Sequence, residues 1–110
     1  NLDLVDGNGL CDSMEAFLNR ADLQDPAPRS AVGAFAANPD QIGDPSLDTA
    51  DWPDYAPGNL WVSYVFPAMD WTVSDAGVFW PAPGDSDAKL LGDDGLAAGP
   101  HRLVWVDVSR

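Results

Sequence analysis

Seventeen of the eighteen acidic residues in this 110-residue chain are aspartate, and Glu15 is the single glutamate. That choice constrains the fold more than any other feature. Aspartate competes with the helical backbone for hydrogen bonds, so it is poor inside helices and good at caps and turns. Ten Gly and ten Pro act in the same direction. The expected molecule is therefore built from short elements joined by acidic turns and loops. Five Lys and Arg against eighteen acids leave a net charge of −13. Such a surface repels phosphate backbones and anionic lipid, so no direct nucleic-acid binding is expected and membrane-surface binding is disfavoured. It attracts a protein with a basic surface. The plainer reading of the charge is a solvated surface or an adaptation to high salt.

The length suits one domain, residues 1–110, with one core. An apolar fraction of 45%, with five Trp, four Phe and two Tyr, argues against wholesale disorder. No apolar run approaches the roughly 20 residues that span a bilayer. The chain begins at Asn1 without Met or a signal-like stretch, so its compartment is unreadable. Cys11, the only cysteine, has no partner for an internal disulfide.

Along the chain, residues 1–11 read as a solvated entry loop. Asp12 or Ser13 caps a helix in which Met14, Phe17, Leu18 and Ala21 share one face, and Asp25-Pro26-Ala27-Pro28 ends it. A second short helix is expected from Ser30 to about Ala37, although Gly33 weakens it. Residues 40–58 form a long Pro- and Asp-rich loop, a type often functional or mobile. Leu60–Phe66 reads as a strand. Trp71–Val73 and Gly77–Trp80 read as a hairpin turning at Ser74-Asp75-Ala76, and Pro81–Gly95 as another loop. Arg102–Val108 closes the chain as a strand, with Val104, Val106 and Val108 on one face and Leu103, Trp105 and Asp107 on the other. The expected fold class is α+β, one or two N-terminal helices packed on a C-terminal antiparallel sheet. Its expected core is Phe17, Leu18, Phe35, Val62, Tyr64, Phe66, Val73, Phe79, Val104 and Val106. The stretch from Gly95 through Gly99-Pro100-His101 to Val106 resembles the late-strand pattern of immunoglobulin-like bacterial β-sandwich modules, which implies an all-β sandwich as the alternative.

Chemistry-bearing constellations are few. Asp3, Asp6, Asn8, Asp12 and Glu15 are oxygen ligands of the kind calcium takes, but their spacing departs from an EF-hand, where Leu10 and Cys11 would fall on ligand and glycine positions. Helix caps and a solvated entry loop explain them better, so no metal is assigned. His101, the only histidine, has no Gly-x-Ser-x-Gly nucleophile elbow to serve. Cys11 with His101 lacks a supporting signature. Among seventeen Asp residues, any chosen pair is uninformative. A non-catalytic module without a cofactor is expected. Its partner-binding residues are expected in the 48–55 loop, with Trp52 and Tyr55 as anchors and Asp51 and Asp54 beside them. The competing account makes Trp52 a lid on the core. A carbohydrate-binding accessory domain and a small Asp-dependent hydrolase are the other classes.

Overall fold

The computed structural model describes residues 3–7, 12–32, 38–55 and 57–110. Its elements are short, as the Asp, Gly and Pro content requires: helix α1 (Asp12–Leu18), strands β1 (Ala50–Asp51), β2 (Asn59–Leu60), β3 (Thr72–Phe79) and β4 (Leu103–Ser109). Among the described residues, two 3₁₀ segments, Pro45–Leu47 and Ser86–Leu91, interrupt the loops. The strands form two separate two-stranded antiparallel sheets, β1–β2 and β3–β4. The arrangement is compatible with a small α+β fold, and among the described residues no larger sandwich is built.

Helix α1 seats Met14 in the interior, but Phe17 stays 45% exposed and stacks on Phe66 at 6.0 Å. Most of the expected second helix, and with it Phe35, lies outside the described residues; Ala31 and Val32 form a turn.

The expected strand over residues 60–66 stops at Leu60. The reason is local competition for hydrogen bonds. Trp61 N–H donates to the Asp3 carboxylate at 2.7 Å, and Val62 and Ser63 N–H both donate to Thr49 Oγ1 at 2.9 Å. Side-chain oxygens thus take the place of a neighbouring strand. The aromatic groups there pack on one another, Trp61 on Tyr64 at 4.8 Å and Tyr64 on Phe66 at 5.5 Å.

The expected hairpin at Ser74–Ala76 is also corrected. Residues 72–79 are one strand, paired along its length with β4, and Ser74 is a bulge residue between Val73 and Asp75. A bulge accommodates one extra residue without reversing the chain. Gly77 permits the pairing: a Cβ there would come within 2.7 Å of the Trp105 ring, which covers it.

The interior differs from the expected list. Met14, Ala50, Leu60, Val78 and Trp80 are buried, together with Asp3, Ser30, Asp48, Thr49, Asn59 and Arg102. Leu18, Val62, Tyr64, Phe66, Val73, Phe79, Val104 and Val106 are only half-buried. Periodicity located apolar faces, but several of the deepest positions went to polar side chains, of which Thr49 and Asp3 take backbone N–H groups.

Candidate functional site

The 48–55 loop starts from a fully buried run, Asp48 to Ala50. Ala50 is fully buried between β2 and residues 100–102: it pairs with Leu60 on one side and His101 on the other. Asp51 N–H donates to Pro100 O at 2.9 Å, and Arg102 N–H to Thr49 O at 2.8 Å. From this base the chain leaves through Trp52 and Pro53. It returns at Gly58, whose N–H donates to Pro53 O at 3.2 Å. Gly58 has φ +77°, a conformation that favours glycine, and a Cβ there would collide with the Asn38 side chain.

Of the four sequence-predicted residues, two are tied inward and two project. Asp51 accepts from the buried Arg102 Nη2 at 2.7 Å. Trp52 is half-buried and meets the His101 ring edge-on at 5.2 Å. Asp54 is exposed, and Tyr55 is 88% exposed. The loop therefore presents an aromatic and a carboxylate from a base held by an ion pair, a ring contact and backbone bonds.

Arg102 was read from sequence only as the first residue of a strand. In the fold it joins three elements. Nη2 reaches Asp51, Nη1 donates to Gly95 O at 3.1 Å, and the guanidinium lies 4.8 Å from the centre of the Trp80 ring. The signal available was scarcity: in a chain with five cations, one that directly precedes a strand has many carboxylates to choose from. Arg102 also lines a cleft of about 690 Å³ whose other walls include Trp80, Pro81, Lys89, Leu91 and Asp93.

Beneath the loop, Asp48 is buried and its Oδ2 has no hydrogen-bond partner. Burial first, then the nearby Asp3 and Asp6 carboxylates, push its carboxyl up to about 7; Asp44 adds a smaller push and Gln41 opposes weakly. Asp44 is held down to about 2 by Ser46 and Arg29. The solvated entry loop expected at the N-terminus is corrected here. Asp3 is buried and accepts from Val5, Asp6 and Trp61 N–H, while Asp6 accepts from Gln41 Nε2 and from Ile42 and Gly43 N–H. These carboxylates are occupied by amide hydrogens. Among the described residues no group of three or more His, Cys, Asp or Glu is placed to hold a metal ion; Asn8 and Cys11 lie outside them.

His101 Nδ1 sits 3.3 Å from Ser63 Oγ. No carboxylate among the described residues completes a triad on the ring, and Trp52 packs against it. Among the described residues no helix is long and apolar enough to cross a membrane. No protein-family model matches the chain, and neither a curated protein nor a solved structure is significantly similar to it.

Proposed function

We propose that this chain is a non-catalytic protein-interaction module whose 51–55 loop docks on a partner with a basic surface. The observation that carries the reading is Tyr55, 88% exposed on a loop pinned at both ends. Exposing a large aromatic ring to water is unfavourable, and aromatic anchors dominate interface energetics. Pinning lowers the ordering cost of binding, and the charge of −13 speeds encounter with a cation-rich partner. Three of the four tryptophans expected in strands are engaged by neighbours, while Trp105 lies over Gly77 and is 36% exposed. Trp61 packs on Tyr64, Trp71 lies under Arg110, and Trp80 under Arg102.

The test is partner capture by the immobilised chain from its host's proteins, with Tyr55→Ala and Asp54→Lys alongside the parent. Asp54 is the informative acid, because Asp51 also supports the fold through Arg102. Tyr55→Ala is expected to weaken capture about tenfold or more at an unchanged melting temperature. Asp54→Lys is expected to slow association, less so in high salt. Capture indifferent to both substitutions removes the loop as the contact surface.

A further inference from the structure

The two edges of the β3–β4 ribbon differ: the β3 edge is partly paired, and the β4 edge is unpaired among the described residues. On the β3 side, Val78 N–H donates outward to Arg29 O at 3.0 Å. This fixes the hydrogen-bonding phase of the ribbon. Val78 faces Val104, so neither residue directs its backbone groups at the other; the same holds two residues on for Ala76 and Val106. Beyond the bulge, Val108 follows the same alternation. The N–H and C=O groups of Val104, Val106 and Val108 therefore point away from β3, and among the described residues none has a hydrogen-bond partner. Natural sheets protect such edges with Pro, Lys or a covering segment. Here Asp107 is the only charged residue in the strand, and Leu103, Trp105 and Val108 are 65%, 36% and 41% exposed.

The two faces of the ribbon specify what fits beside β4. On the inner face, Val106 and Val108 open into an apolar depression of about 190 Å³, walled also by Val65, Phe66, Pro67 and Trp71. On the outer face, Asp75 and Asp107 stand directly opposite each other across the strands. Like charges in that relation repel, and a cation beside them relieves the repulsion.

We infer that β4 receives an extended, cationic segment of a partner protein as a third strand, with its alternate apolar side chains entering the Val65–Trp71 depression and its Lys or Arg side chains beside Asp107 and Asp75. Backbone bonds supply affinity in this mode, and alternate side chains supply specificity. A second copy of the chain is the poorer occupant, because β4–β4 pairing brings together two molecules of charge −13. The inference rests on the proposed class of partner but places contact on a surface separate from the 51–55 loop.

The probe is a synthetic, end-capped peptide alternating Lys and Val, titrated at low salt into the full chain with backbone amide NMR as the readout. Shifts confined to residues 103–109 and their neighbours across the depression are expected, with affinity falling steeply in about 1 M salt. Val106→Pro is the decisive variant. Its N–H points outward, so proline removes an edge donor without breaking the β3 ladder, and it is expected to weaken the peptide about tenfold or more. Tyr55→Ala is expected to leave peptide binding unchanged. A Glu–Val peptide that binds equally well, shifts elsewhere on the molecule, or full affinity in Val106→Pro would each overturn the inference. Self-association through β4 in sedimentation, without peptide, would replace the partner strand with a second copy. If the peptide fails while Tyr55→Ala still weakens partner capture, the loop reading stands and the edge reading falls.

Discussion

The two halves of this molecule are held together by different bonds. Around residues 48–63 and 100–102, side chains satisfy the backbone. Thr49 Oγ1 takes two N–H groups, Asp3 takes three, and Arg102 ties Asp51 to Gly95. In the β3–β4 ribbon the backbone pairs through a ladder of seven residue pairs, and most side chains apart from Val78 are half-buried or exposed. The first arrangement makes each buried polar residue indispensable, because its loss strands a desolvated partner. The second tolerates side-chain change and leaves its outer groups open to a further strand. Rigidity and availability have been separated in one small chain.

The largest effect expected from this contrast is a pH dependence confined to the polar half. Asp48 titrates near 7 in the fold against an ordinary carboxylate value of 3.8. The folded state therefore keeps a proton that the unfolded chain releases between those values. Stability from this group is fully present below about pH 4 and lost as pH rises toward 7, an interval worth about 4 kcal/mol. Asp44, whose carboxyl is lowered, acts oppositely, losing its contribution as pH falls toward 2. Urea unfolding of the parent and of Asp48→Asn from pH 4 to 8 isolates the buried group. Parallel stability curves would show that Asp48 does not hold its proton.

Next in size is Arg102→Met, which keeps an apolar stem over Trp80 but removes the bonds to Asp51 and Gly95. Breaking an ion pair with one buried partner is expected to cost about 3 kcal/mol, moderated because Asp51 is partly hydrated. A loss below about 1 kcal/mol in the same assay would mean that the backbone bonds at residues 49–51 suffice.

The smallest effect lies in the ribbon. Asp107→Asn removes one of two facing carboxylates and is expected to stabilise by a few tenths of a kcal/mol at low salt, vanishing in about 1 M salt. A destabilisation there would show that Asp107 makes a favourable contact, and would weaken the case for a cationic strand beside it.

Legibility divided along the same line. The C-terminal strand was readable with its two faces, because Val104, Val106 and Val108 alternate with Leu103, Trp105 and Asp107 and the ladder preserves that period. A helix near Asp12 was readable, although α1 ends at Leu18, short of Ala21 and of the expected stop at Asp25-Pro26. The 60–66 segment was misread because its Val and aromatic residues have strand propensity, while the acceptors that take its N–H groups, Asp3 and Thr49, lie 58 and 13–14 residues away. No local window contains them. Trp71–Trp80 was misread because an Asp within a strand resembles a turn until its partner strand is known. For the loop, sequence named Asp51, Trp52, Asp54 and Tyr55 as a group, but it had no means of dividing them into two that are tied down and two that project.

By itself, the sequence determined the style of the molecule. Aspartate, glycine and proline set short elements and long turns through backbone preference, and the charge of −13 set the class of surface the chain can approach. Tertiary structure alone decided which polar groups are buried and which strand edge stays open. Both depend on which distant side chain reaches a given N–H or C=O first, and that competition is settled by contacts between residues far apart in the chain.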